Sequence, residues 1–250
     1  MGMAALAVAV AAGVWFFILR SPTTPIDLRQ ALRLYRQAQG SGPVDDGSNL
    51  TPPGVYRYRT SGAEHLSAGD ITRPFPASTT MIVTDAKCTN SRWEPFEQHV
   101  EGLVACPSPL GGLSITSVPS YEEIAGTQTN TVVECPVGTF LLPPNQVVGE
   151  RWQTTCHTTG QTVLVTGQVV GRGLLDVGET VVPAVHTRLT LSYSGSDSGS
   201  NPNDYWLSAS TGLILRQDET VDMSQQAGPL GSVHYDEHMA VELTSIDPMR

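Results

Sequence analysis

From residue 55 onward the sequence consists of short runs in which apolar and polar residues alternate. The clearest run places Val185, Thr187, Leu189, Leu191 and Tyr193 on one face of an extended strand, with the intervening residues on the other face. Turn-forming residues separate such runs at intervals of about 8–15 residues. The pattern predicts a mostly β protein with antiparallel strands and local connections, because no segment after residue 54 has strong helical periodicity.

The runs predict about five strands on each side of residue 145. They cover residues 55–59, 79–85, 93–106, 112–119 and 127–135, and then residues 150–157, 161–171, 181–194, 205–219 (divided by a turn at 210–212) and 231–245. The Ser/Gly/Asn-rich segment 195–203 is interpreted as a flexible loop. Trp93 and Trp152 each open a strand. We therefore expect two similar β halves, residues 55–145 and 146–250, and an internal duplication is the hypothesis.

The first nineteen residues carry no charged side chain, and Arg20 is the first charge. A helix of this length crosses a bilayer core of about 30 Å. A cleaved signal peptide would have a basic n-region, which is missing here. A buried core helix would usually carry a polar stripe. The sequence therefore predicts one uncleaved transmembrane anchor over residues 1–20.

A short helical stem is predicted at residues 21–40. Thr24 is placed as the N-cap, Pro25 at the first helical position and Asp27 in the first turn. An apolar stripe that includes Ala31 and Tyr35 would lie either on the membrane surface or on the β domain. Residues 41–54, rich in Gly, Pro, Ser and Asp, are interpreted as a linker.

The chain has four cysteines, Cys88, Cys106, Cys135 and Cys156. Four cysteines allow three pairings, and pairing between neighbours would close two short loops. Free thiols are an alternative, and a zinc site is another, although no two cysteines have the usual structural-zinc spacing. We expect disulfide bonds, which require an oxidising compartment.

The orientation of the predicted anchor is indicated by two conflicting signals. Four arginines closely follow the uncharged run of residues 1–19, and no basic residue precedes that run, which indicates that the following domain lies in the cytoplasm. These arginines are Arg20, Arg29, Arg33 and Arg36. Disulfide bonds place the domain outside. Because a large following domain weakens the charge rule, we expect a single-pass protein of the cell membrane with its β domain on the extracytoplasmic side.

Charge limits the class of partner. The whole chain has a formal net charge of −10, and all of the acidic excess lies after residue 40, because residues 1–40 hold four arginines and one aspartate. Such a domain is repelled by phosphate backbones, so nucleic acid is excluded as a partner. The expected partners are the membrane, through the anchor, and a lipid or a protein of the envelope.

An acidic patch at Glu94, Glu97, His99 and Glu101 is the main candidate for chemistry. Two carboxylates can perform acid–base catalysis, but the sequence pairs them with no nucleophile. We interpret the patch as a solvated face.

A second candidate is the run that contains His234, Asp236 and His238. On a strand the two histidines are roughly 13 Å apart, too far to bind one zinc ion, so a polar solvent-facing surface is predicted. Motifs for hydrolase nucleophiles, phosphate loops and dinucleotides are missing. We therefore assign no catalytic, cofactor-binding or metal-ligating residue.

Two stretches in the second half resemble a recurring element of LolA/LppX-like envelope proteins. They are Tyr205-Trp206-Leu207-Ser208, followed by Gly212-Leu213-Ile214-Leu215-Arg216, and Val182-Pro183-Ala184-Val185 before a strand. The resemblance covers about 70 residues and implies a strongly curved antiparallel sheet around an apolar cavity for acyl chains. The chain departs from that family in having a membrane span and no evident covering helices. The whole chain also resembles single-span, β-rich envelope proteins of actinobacteria.

The function that fits these features best is a membrane-anchored, extracytoplasmic and non-enzymatic binding protein for an apolar ligand or a protein partner. Such a carrier predicts an enclosed apolar cavity of several hundred Å³. The first alternative, an envelope-polymer hydrolase, predicts two carboxylates about 5–10 Å apart in a cleft. The second alternative, a structural subunit of a membrane complex, predicts an exposed apolar patch.

Overall fold

The computed structural model describes residues 23–39, 50–67, 70–84, 87–124, 127–195, 198–226 and 232–250. The anchor predicted at residues 1–20 and most of the linker lie outside the described residues, so both stay predictions. Within the described ranges, no helix is both long enough and apolar enough to cross a bilayer.

One helix and fourteen strands make up the described chain. The helix is α1 (Leu28–Gln39). The strands are β1 (Gly54–Leu66), β2 (Ile71–Pro74), β3 (Ser78–Thr84), β4 (Thr89–Phe96), β5 (His99–Pro107), β6 (Leu113–Ile124), β7 (Thr127–Glu134), β8 (Phe140–Leu142), β9 (Arg151–Thr158), β10 (Gln161–Val177), β11 (Thr180–Gly195), β12 (Ser198–Ser208), β13 (Ile214–Gln226) and β14 (Ser232–Leu243).

Twelve of the described strands form one closed antiparallel ring. The hydrogen-bonded order is β1-β3-β4-β5-β6-β7-β9-β10-β11-β12-β13-β14, and β14 pairs again with β1. Strands β2 and β8 lie off this ring and pair with β1 and β6. Because the sheet closes on itself, the alternation along each strand separates a lumen face from an outer face.

The predicted mostly β, antiparallel fold is confirmed, and two of the predicted segments are corrected. Residues 93–106 form two strands, because the chain reverses at Glu97 and Gln98 and pairs Phe96 with His99. Segment 195–203 is mainly strand, because β12 begins at Ser198 and pairs with both of its neighbours. Pairing on both sides provides hydrogen-bond partners for the backbone N–H and C=O groups of this segment, although its residue types favour a loop.

The ring takes six strands from before residue 145 and six from after it. The structure therefore joins the two predicted halves in a single sheet and not in two separate ones. The boundary at residue 145 and the internal duplication stay predictions.

Helix α1 packs on the outer face of the ring. Its buried side chains, Ala31 and Tyr35, contact Val55 and Ile82 of β1 and β3. The predicted start at Thr24 and Pro25 is wrong, because backbone hydrogen bonds tie this segment in extended form to the β4–β5 turn. Asp27 is the N-cap, and its Oδ1 accepts a hydrogen bond from the Gln30 amide at 2.8 Å.

Both predicted disulfides form, with neighbour pairing. Cys88 bonds to Cys106 and Cys135 bonds to Cys156. The second disulfide lies at the weakest junction of the ring, where β7 and β9 pair at Glu134 and His157. The covalent bond holds these two strands together where the described backbone ladder has one residue pair.

Antiparallel order gives the barrel two different ends. The end of the barrel where β1 begins and β14 ends is filled with apolar side chains, and we call it the apolar end. These side chains include Leu50, Leu113, Leu141, Leu142 and Leu213. At the opposite end the lumen is lined by glutamates, and we call it the acidic end. The candidate site lies at the acidic end.

Candidate functional site

Buried acidic side chains from several strands meet in the lumen. Glu64 of β1 and Glu237 of β14 are direct partners across the strand pair that closes the ring. His99 stands at the start of β5, on another part of the wall. These three side chains are each 2% exposed. Their possible ligand atoms all lie within 4.8 Å of one another, and we call the group the Glu64–His99–Glu237 cluster.

His99 joins two carboxylates. Its Nδ1 lies 2.8 Å from Oε2 of Glu64, and its Nε2 lies 3.1 Å from Oε1 of Glu101. Burial would lower the pKa of His99, but these two hydrogen bonds and nearby glutamates raise it well above the usual value. Burial would raise the pKa of Glu64, but the bond from His99 helps to lower it. Folding therefore favours an imidazolium here, with both ring nitrogens donating.

Glu237 is less completely paired than Glu64. The Tyr235 hydroxyl contacts Oε2 of Glu237 and lies 3.2 Å from Oε2 of Glu64. Oε1 of Glu237 is buried without a hydrogen-bond partner. Arg73 Nε lies 3.1 Å from Oε1 of Glu64, but that oxygen accepts no well-aligned hydrogen bond. Burial and the nearby carboxylate of Glu101 raise the pKa of Glu237 well above its usual value.

Glu219 lies in a neighbouring polar network on β12 and β13. Its carboxylate accepts hydrogen bonds from Asn201 at 2.6 Å and Gln217 at 2.7 Å. Burial, followed by repulsion from Glu101, raises the pKa of Glu219 to about 8. The lumen therefore holds this carboxyl group in its protonated form at neutral pH.

A cavity of about 160 Å³ lies between these groups. One part of its wall is apolar and includes Met81, Leu103, Ile115, Leu189 and Ile214. Another part carries four glutamates, Glu101, Glu122, Glu219 and Glu237. None of the described residues that line the cavity is Lys, Arg or His. The cavity can therefore surround a small molecule with apolar contacts on one side and carboxylates on the other.

The described wall is incomplete beside β7. Thr129, Thr131 and Val133 line the cavity, and they precede the single described pairing of β7 with β9, at Glu134. Strand β7 is paired along its length with β6 on its other side. Before Glu134, β7 therefore has no described backbone partner on the side of β9.

The predicted acidic patch is divided between the two sides of the wall. Glu94 and Glu97 lie outside, beside α1, where Glu94 contacts Arg92 and Glu97 accepts a hydrogen bond from Gln30. His99 and Glu101 lie in the lumen. The interpretation of the patch as one solvated face is wrong, because side chains of the β4–β5 hairpin point partly to the outer face and partly into the lumen. Glu94 and Glu101 therefore do not share one cleft, and the hydrolase alternative stays a prediction.

The polar side chains of β14 that were predicted to face solvent lie on the outer face of the barrel. Val233, Tyr235, Glu237 and Met239 are buried, whereas the three polar residues that alternate with them, His234, Asp236 and His238, are at least partly exposed. Glu237 and Glu64 were not among the candidate residues predicted from the sequence. A usable signal was present: each glutamate stands at a position where neighbouring residues of the same phase are apolar or aromatic.

The three tryptophans of the sheet take different places in it. Trp93 is buried in the lumen wall and packs edge-on against His99. Trp152 is partly buried against the core. Trp206 lies on the outer face, stacked on His186 at 4.1 Å between ring centroids, with the Arg216 guanidinium 4.6 Å from its ring. These two contacts of Trp206 connect the side chains of the three adjacent strands β11, β12 and β13.

Exposed apolar side chains gather near the apolar end. Six of the seven large ones among the described residues lie in, or close to, its connections: Leu110, Val137, Val147, Val148, Leu174 and Val181. The structural-subunit alternative expects exposed apolar side chains of this kind. A protein partner for this end stays a prediction.

Stability should fall as the pH rises. Glu219 has a folded pKa of about 8, against 4.5 for the ordinary group, so between these values the folded state keeps a proton that the unfolded state has lost. We expect the free energy of unfolding, measured by urea titration, to be lower at pH 8 than at pH 5. Glu219→Gln should reduce this difference because it removes the titrating group. Equal pH dependence of the two proteins would contradict the assignment.

Comparison with known proteins gives little further information. No protein-family profile matches the chain, and no curated protein matches it. A solved structure with some similarity is the hypothetical lipoprotein YmcC from Escherichia coli K12, at 10% identity and a TM-score of 0.33, over 76% of this chain and 86% of that chain. The resemblance to LolA/LppX-like proteins is not confirmed.

Proposed function

We propose that this chain is a membrane-anchored, non-enzymatic binding protein of the cell envelope whose barrel lumen binds a small, positively charged ligand. The observation that carries the proposal is the cavity lined by four glutamates and by no described cationic side chain. Burying several carboxylates together is costly, so some of these groups stay protonated unless a counter-charge accompanies them. A bound cation supplies that counter-charge.

The size and lining of the cavity favour a compact ligand over an acyl chain. Typical ligand pockets measure about 300–1,000 Å³, and the lumen cavity measures about 160 Å³. The sequence led us to expect a larger and purely apolar cavity. Because glutamates form part of the wall, the cation binds on that side, and an organic cation would place a short apolar body against Met81 and Leu189.

Location in the envelope is part of the proposal. Two disulfides support an oxidising compartment, and the uncharged segment at residues 1–19 supports an anchor. Thr24 is hydrogen-bonded to the β4–β5 turn, so the chain leaves the predicted anchor beside the acidic end of the barrel. Labelling of intact cells with an impermeant maleimide should require prior reduction; four free and protected thiols would refute the extracytoplasmic location.

Two ligands of similar size and opposite charge test the binding proposal. The full chain in detergent is titrated with butylammonium and with butyrate, and binding is measured by calorimetry and by the shift in melting temperature. We expect butylammonium to bind and to raise the melting temperature, because only a ligand that binds the folded state stabilises it. Above pH 8, near which Glu219 ionises, Glu219→Gln should weaken this binding because it then removes one lumen carboxylate.

The comparison of butylammonium with butyrate shows whether the lumen prefers a cation. Equal effects of the two ligands, or binding of butyrate alone, would contradict a cation-binding lumen. Glu242 is half-exposed on the outer face of β14 and pairs with Arg59. Glu242→Gln is therefore the matched control and should leave butylammonium binding unchanged.

A further inference from the structure

The geometry points to a binding site for a divalent first-row transition metal ion, such as Zn²⁺, formed by Glu64, His99 and Glu237. This inference rests on the proposed function, because it names a metal ion as the positively charged ligand of the lumen. The three side chains supply one imidazole nitrogen and two carboxylates, a donor set that proteins use for zinc and related ions. All three are buried, and strands distant in sequence bring them together.

The distances suit a small ion after modest movement. Two donor atoms on a tetrahedral Zn²⁺ with bonds near 2.0 Å are about 3.3 Å apart. The possible donor atoms of the cluster lie within 4.8 Å of one another, and His99 Nδ1 lies 2.8 Å from Glu64 Oε2. Side-chain shifts of about 1 Å would admit the ion, which replaces the proton between His99 and Glu64.

An unpartnered oxygen provides the second and independent observation. Oε1 of Glu237 is buried and accepts no hydrogen bond from the described part of the chain. Glu237 also lines the lumen cavity. Buried polar atoms in native proteins nearly always have a partner, and an exception calls for a bound water or ion. Glu237 therefore presents a free donor atom beside the other two ligands.

Neighbouring side chains are arranged as supports of a metal site. Glu101 accepts a hydrogen bond from His99 Nε2 at 3.1 Å, which fixes the ring and leaves Nδ1 facing Glu64. Carboxylate–histidine–metal arrangements use this contact to orient the imidazole. Tyr235 contacts both Glu64 and Glu237 and so holds the two carboxylates near each other.

The identity of the donors narrows the class of ion. Calcium and magnesium prefer oxygen donors alone and usually more of them, whereas an imidazole favours zinc and its first-row neighbours. The four cysteines are bonded in pairs, so no thiolate competes for the ion. The cavity beside Glu237 leaves space for a water molecule or a small ligand as a fourth donor.

The test uses the full chain in detergent, stripped with a chelator and titrated with Zn²⁺ alone. We expect one ion per chain. Glu237→Gln should weaken binding by at least about tenfold, because it removes one ligand while keeping the shape of the side chain. Glu242→Gln, on the outer face of the same strand, should leave the affinity within about twofold of the wild type.

X-ray absorption of the Zn²⁺-loaded wild type supplies a measurement that needs no variant. We expect one imidazole nitrogen with oxygen donors. No stoichiometric binding, two or more imidazoles, or equal affinity of the Glu237→Gln protein would overturn the metal site. If butylammonium binds while Zn²⁺ does not, the metal inference fails and the proposed cation-binding function stands. If neither binds, both fail.

Discussion

Replacement of Gly62 by alanine is expected to lower the free energy of unfolding by roughly 3 kcal/mol, because strain at a positive φ and overpacking each cost about 1–3 kcal/mol. Gly62 has a φ of 116° and pairs with Met239 at the β1–β14 junction. A Cβ at this position would lie 1.9 Å from the backbone oxygen of His238. The pairing that closes the ring would therefore have to open locally.

A fall of roughly 10 °C in melting temperature should accompany this loss in a chain of this size. Gly173→Ala in β10 is the matched control, because its added Cβ meets nothing within 4 Å. That variant should unfold within about 0.5 kcal/mol of the wild type. If both alanine variants behave alike, close backbone contact at the β1–β14 junction is not what requires Gly62.

Replacement of His99 by alanine is expected to cost about 3–5 kcal/mol, the usual effect of removing one partner from a buried charged pair. The change leaves Glu64 and Glu101 without their shared donor and removes a ring that packs against Phe75 and Trp93. Urea unfolding followed by tryptophan fluorescence measures the loss. His157→Ala, at an exposed position on β9, should change stability by no more than about 0.5 kcal/mol.

A double-mutant cycle separates the charge effect from lost packing. In the His99→Ala background, Glu64→Gln should recover part of the stability because it removes the uncompensated carboxylate. The same Glu64→Gln change in the wild type should be destabilising, since His99 then loses a charged partner. Strictly additive effects would show that His99 stabilises the barrel by packing alone.

Much of the strand pattern could be predicted from particular residues. The alternation of Val185, Thr187, Leu189 and Leu191 places these side chains on the buried face of β11, as expected. The disulfides were also predictable, because an even number of cysteines without zinc spacing leaves few alternatives. Helix α1 was found, but its start was misplaced because tertiary backbone bonds hold Thr24 in an extended segment.

The candidate site was not predictable to the same extent. Glu64 and Glu237 are in phase with buried residues of their strands, which could have marked both as inward-facing. Nothing local indicates that they become direct neighbours, because that contact depends on β14 returning to β1. His99 was misinterpreted with Glu94 and Glu97 because a hairpin turn interrupts what the pattern presents as one strand.

Period-two alternation is a local property of a few consecutive residues, and so the chain alone specified a mostly antiparallel β protein with paired cysteines. Ring closure is a property of strands almost two hundred residues apart, such as β1 and β14, and only their pairing decided it. Closure turned separate inward-facing glutamates into one cluster around a small cavity. The chemistry of the lumen therefore arises from the register of distant strands, which no local pattern encodes.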